Sequence, residues 1–98
     1  MAPFLVCDAY STSVTQPTEF EVFMDGATVP IISPAAAVTG GVALNYDVGG
    51  VTSGNHTVTV KAVRVDSIWG RITSAATSPF AFAKPSIPSV PSGLSLRT

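Results

Sequence analysis

The 98-residue sequence predicts an all-β protein, an antiparallel two-sheet sandwich, on three observations. Short runs alternate apolar with polar residues; clusters of Gly, Pro, Asn and Asp separate those runs; and no stretch sustains the repeat of an amphipathic helix. The length suits one domain with a single modest core.

Residues 3–10 (PFLVCDAY) read as a first strand, and 11–18 (STSVTQPT) as a polar loop. Within that strand Cys7 follows Phe4–Leu5–Val6 and is expected to be a small buried hydrophobe. It is the only cysteine, so the chain forms no internal disulfide. From 19 to 24, Phe20, Val22 and Met24 share one face and Glu19, Glu21 and Phe23 the other, up to a turn at Asp25–Gly26. Residues 27–33 can make a short edge strand, since Pro30 is tolerated only where a ladder need not be completed. Residues 34–41 (PAAAVTGG, with Pro34 to Gly41) are expected to be a flexible connection.

The run 42–48 (VALNYDV) alternates again, with Val42, Leu44, Tyr46 and Val48 on one side. Residues 56–65 (HTVTVKAVRV) carry the clearest strand pattern, with Val58, Val60 and Ala62 opposite Thr57, Thr59 and Lys61. A turn containing Trp69–Gly70 leads to a last strand over 74–83 with Phe80 and Phe82 on one side. The sandwich is thus expected to occupy residues 1–83, with six or seven strands, and a Pro-rich extended tail residues 84–98.

Lys and Arg number five and Asp and Glu six, so 11% of the residues are charged while 46% are hydrophobic. A free-standing soluble domain carries about 25% charged residues, so this exterior is expected to be covered by other protein subunits. The net charge of −1 removes the electrostatic case for nucleic acid or an anionic membrane as partner. Its distribution is uneven: no cation precedes Lys61, whereas Asp8, Glu19, Glu21, Asp25 and Asp47 all do. Pairing across strands of one molecule accounts for this, as does steering of late segments onto the early segments of another copy.

No constellation announces chemistry. His56 stands alone, without a second metal ligand or a nucleophile, and no cofactor is expected. Glu19 and Glu21 share a face with Lys61, which suits surface pairing better than acid–base work. Asp25–Gly26 and Asp47 lack the spacing of a calcium loop, and Gly40–Gly41 and Gly49–Gly50 precede no helix that would cradle phosphate. Trp69 and Phe23 could stack on a sugar, although packing is the commoner use of a lone aromatic. No basic segment followed by a long apolar stretch is visible after Met1, so neither an export signal nor a membrane span is expected, unless the chain is an excerpt.

The run from Tyr46 through Asp47–Val48–Gly49–Gly50 and Asn55–His56–Thr57 to Val63 resembles the E strand, EF corner and F strand of fibronectin type III and related bacterial immunoglobulin-like domains. Phe20–Glu21–Val22 with Asp25–Gly26 is similar to their C strand and its turn, and Trp69–Gly70 through Phe82 to their F–G hairpin and G strand. The match covers about residues 19–83 and implies an immunoglobulin-like fold. His56 stands where these domains often place a corner tyrosine, which implies a structural role for it in bridging back to the EF turn, and Trp69 is expected to be a structural corner residue with it. Only one strand precedes residue 19 where the family has A and B, and the family's tryptophan on the second of these is missing.

Pro88–Ser89–Val90–Pro91–Ser92–Gly93–Leu94–Ser95–Leu96 is similar to the Pro-x-x-Pro-x-x-Leu-x-Leu opening of the family's A strand. A remnant of a following domain or a disordered end explains it, and so does strand addition beside residues 3–8, in the same copy or another. The candidate assembly contacts are therefore Phe23, Pro88, Pro91, Leu94 and Leu96.

The resemblance specifies fold far better than function. Combined with low charge and the expected lack of an export signal, it implies a non-enzymatic structural protein. The expected role is an accessory subunit of a tailed-bacteriophage virion, decorating the capsid or associated with the tail and assembled in the host cytoplasm. The alternative is an extracellular spacer or glycan-binding module from a secreted bacterial adhesin or carbohydrate-active enzyme. Expected partners are copies of itself or a viral lattice, and a cell-surface glycan in the alternative.

Overall fold

A computed structural model describes residues 3–97, so residues 1, 2 and 98, the ends of the expected sandwich and tail, lie outside the described residues. Among the described residues the protein is all-β, with 47% in strands, no helix and only antiparallel pairing. The described residues hold nine strands in order: β1 (Phe4–Val6), β2 (Glu19–Met24), β3 (Ile31–Pro34), β4 (Ala36–Val38), β5 (Gly41–Ala43), β6 (Asn45–Asp47), β7 (Gly54–Asp66), β8 (Gly70–Thr73) and β9 (Phe80–Lys84).

The principal sheet runs β3-β2-β7-β8, and β9 pairs with β7 as well. β7 is long enough, at 13 residues, for Val63–Asp66 to pair with β8 and Gly54–Val58 with β9 on successive stretches of one edge. Between them the chain leaves regular strand but stays bonded: Ser74 and Thr77 donate their amides to Ala62 and Val60, and their hydroxyls accept the amides of those same residues. The strand expected over 74–83 therefore begins only at Phe80.

The alternation read in β2 and β7 sets the core. The register opposes Phe20 to Ala62, Val22 to Val60 and Met24 to Val58. Phe20, Val22 and Val58, with Leu44 from the facing layer, form the buried cluster, and Leu5, Tyr10 and Tyr46 pack against it from that layer. Fully burying such a side chain contributes about 1.5–3 kcal/mol, so these few residues hold the two layers together. At the end of β2, Asp25 and Gly26 take φ of 54° and 75°, and Ala27 donates its amide to the Met24 carbonyl. Two successive positive φ values are those of a type I′ turn, which suits the Asp-Gly pair.

Three details of the second layer depart from the sequence reading. Residues 34–41 are no flexible connection: β4 and β5 form a hairpin in which Ala36 faces Ala43 and Val38 faces Gly41. Alanine and glycine carry little strand preference, so the sequence hardly signals this hairpin, although Ala43 is buried in the core. The run 42–48 is split at Leu44, because the chain leaves β4 and takes β1 as its next partner. Finally, Cys7 is exposed rather than buried, and its Sγ accepts the Leu44 amide at 3.3 Å. The edge strand near residues 27–33 is present but shifted to Ile31–Pro34, which leaves Pro30 outside it.

Candidate interaction surface

The corner near the β6–β7 loop is built around His56. Its side chain points inward beside Phe82, whose ring is stacked at 5.5 Å between centroids, and the residue is 8% exposed. Nδ1 lies 2.7 Å from Asp25 Oδ2 and Nε2 2.7 Å from the Thr52 carbonyl oxygen. Asp25 also accepts the Thr57 amide on Oδ1. The bond to His56, followed by that from Thr57, holds the Asp25 carboxyl below its ordinary range, and the bond to Asp25, followed by that to Thr52, raises His56. With both ring nitrogens engaged, the imidazole ties the β2–β3 turn to the β6–β7 loop and has no nitrogen to spare for a metal or a substrate proton.

On the opposite face of the principal sheet, Arg71 of β8 reaches across β7 to β2. One terminal nitrogen lies 2.8 Å from Glu19 Oε2 and the other 2.8 Å from Glu21 Oε2. The side chain passes over β7 where Val63, facing Glu19 and Thr73, is 0% exposed. Lys61 does face Glu21 across the ladder, but its ammonium lies over the Phe23 ring at 5.4 Å. Phe23 is thereby half-covered within its own molecule.

Trp69 does not join the His56 corner. It stands at the tip of the β7–β8 hairpin, where Asp66 accepts the amides of Ile68 and Trp69, and it is 79% exposed. The corner role assigned to it from sequence is therefore corrected: the cap of that turn is Asp66, and Trp69 is largely exposed. Among the described residues no group of three His, Cys, Asp or Glu could hold a metal ion.

Two apolar openings lie along one seam of the molecule. A cavity of about 450 Å³ is lined by Phe4, Leu5 and Val48 on one side and by Phe80, Phe82 and Ala83 on the other. A second, of about 370 Å³, continues it past Leu5 and Phe80 to Val6, Tyr10 and the floor at Leu44 and Val58. Beyond β9, Pro88, Pro91, Leu94 and Leu96 stand in an extended, exposed tail outside any strand. The seam was not read from the sequence; the shortage of strands before residue 19 was its only signal. No family model, curated protein or solved structure matches this chain.

Proposed function

We propose that the chain is a non-enzymatic structural subunit with an immunoglobulin-like, fibronectin type III-like sandwich, and that it serves as an accessory protein of a tailed-bacteriophage virion. One observation carries the assembly part of this reading: Ile87, Val90, Leu94 and Leu96, on the tail beyond the Pro85 anchor, are 86–98% exposed. Apolar side chains so fully presented are a liability alone and an asset in an assembly. The strand order supports the fold part, since β3-β2-β7-β8 corresponds to C′-C-F-G of the resembled family and β1-β6 to B-E. Full engagement of His56 by Asp25 and Thr52 supports the non-enzymatic part.

Mass analysis of purified particles from the encoding host tests the reading. Peptides of this sequence, from a component present in many copies per particle, are expected; their absence from all particles overturns the virion role. A second reading, a glycan-binding module, is favoured by the bare indole of Trp69 beside exposed Ile68. A sugar that shifts the Trp69 indole resonance on titration, and loses that effect in Trp69→Ala, would support it.

A further inference from the structure

We propose that residues 88–97 of one copy dock as an added strand in the seam of a second copy, beside β1, so that copies join head to tail. The inference rests on the subunit reading above and names both the partner and the surface. Its first support is an open edge. Among the described residues β1 pairs only with β6. The Val48 amide bonds to the Pro3 carbonyl, so the ladder's alternation turns the amide groups of Leu5 toward β6 and those of Phe4 and Val6 toward the open side. The apolar seam described above lies along the same side, between β1 and the segment leading into β9.

The tail has the pattern such a site takes. Counting by twos, Pro88, Val90, Leu94 and Leu96 fall on one face with Ser92, while Ser89, Gly93, Ser95 and Arg97 fall with Pro91 on the other. Gly93 takes φ of 66° in the undocked tail, and as glycine it can extend without steric cost. Charge agrees: the tail beyond Lys84 carries only Arg97, and the layer it would join carries Asp8 and Asp47 and no cation.

Direction decides between the tail's own seam and a neighbour's. Lys84 donates to the Gly49 and Val51 carbonyls and Ser53 to the Pro85 carbonyl, so the tail leaves at the pole where β1 begins. An antiparallel neighbour of β1 must enter at the other pole, near Tyr10. Climbing there uses about 23 Å, or seven residues at roughly 3.3 Å each, so of the described tail only Gly93–Arg97 is left to pair on the return. The tail instead projects outward: the molecule is 73 Å long, whereas the 13 residues of β7 span only about 43 Å. Prolines at 85, 88 and 91 keep it extended. A tail leaving one pole and entering the opposite pole of the next copy forms a heterologous contact, which builds rings or filaments.

Complementation between two full-length variants tests this. L94S/L96S retains the seam and loses the donor; Phe80→Asp, at a residue 55% exposed and on the wall of both cavities, retains the donor and loses the seam. Light scattering is expected to show concentration-dependent oligomers for the native chain, monomers for each variant, and a one-to-one heterodimer on mixing. The serine pair is expected to weaken association by roughly a hundredfold. A native chain monomeric at every concentration overturns the proposal, as does L94S/L96S associating like the native chain. A monomer whose thermal midpoint falls in L94S/L96S also overturns it, because the tail then serves its own copy. Should circular dichroism show Phe80→Asp unfolded, a synthetic peptide of residues 86–97 is titrated into full-length L94S/L96S. Shifted amides at Leu5 and Phe80 support docking, and unshifted ones refute it. A chain that never self-associates yet occurs in purified particles refutes tail docking and spares the subunit reading; the converse pair of results does the reverse.

Discussion

His56 and Asp25 are joined side chain to side chain at 2.7 Å, and the second ring nitrogen of His56 faces a second oxygen acceptor, the Thr52 carbonyl. A neutral imidazole has one N–H and can satisfy only one of these partners. The doubly protonated ring satisfies both, which is why His56 holds its proton more tightly than an ordinary histidine and Asp25 releases its own more readily than an ordinary aspartate. The pair pins the turn after β2 to the start of β7 and so braces the sheet's longest strand.

Stability should accordingly depend on pH from both sides. His56 is raised, so its contribution is complete below the ordinary histidine value of about 6.5 and is lost as pH rises through the higher folded value. Asp25 is lowered, so its contribution is complete above the ordinary aspartate value of about 3.9 and is lost as pH falls through the lower folded value. Thermal midpoints are expected to be highest between roughly pH 4 and 6.5 and to decline toward pH 9. Asp25→Asn keeps an acceptor for the Thr57 amide and tolerates the positive φ, and it should flatten the alkaline decline. An Asp25→Asn profile parallel to that of the native protein would contradict this.

Arg71 acts as both a clamp and a cover. Arg71→Met keeps an aliphatic stem over Val63 but leaves Glu19 and Glu21 without their shared cation, whereas Arg71→Ala removes both. The midpoint should fall in the order native, Met, Ala. Added salt should narrow the gap between native and Met while leaving that between Met and Ala. Equal midpoints for Met and Ala would show that Val63 needs no cover from this side chain.

Phe20 is the pivot of the core, 2% exposed and tilted against Tyr10 with centroids 6.1 Å apart. Phe20→Ala is expected to cost about 3–5 kcal/mol in urea unfolding, a large share of the roughly 5–15 kcal/mol available to a domain. A loss below about 1 kcal/mol would place the core elsewhere.

Gly41 has no room for a side chain. It takes φ of 151°, and a Cβ there would overlap the Tyr10 carbonyl, which exchanges hydrogen bonds with Val42. Gly41→Ala should therefore separate Tyr10 from Val42 and cost more than about 2 kcal/mol, with accelerated exchange of those two amides. Alanine at Gly40, where a Cβ meets nothing, is limited by its positive φ alone and should cost less.

The principal sheet was legible because β2 and β7 alternate cleanly and each buries one face, which fixes register and leaves the Asp25–Gly26 turn little choice. The β4–β5 hairpin was not, since Ala36, Ala37 and Gly41 pair through their backbones and present no pattern of side chains. The break at Leu44 was hidden for a related reason: an exchange of strand partner is a tertiary event inside an unbroken alternation. Arg71 lies 52 and 50 residues from the carboxylates it holds, and nearer Lys61 was the natural partner on sequence alone. Trp69 was assigned to packing by its type, but it stands at a hairpin tip and is 79% exposed.

Amide hydrogen exchange at Phe4 and Val6, whose N–H groups face the open side of β1, tests the joining of copies most directly. Protection at both positions is predicted to rise with protein concentration in the native chain and to stay at the dilute level in L94S/L96S. Exchange equally fast at every concentration, or equally slow in the serine variant, would contradict the account.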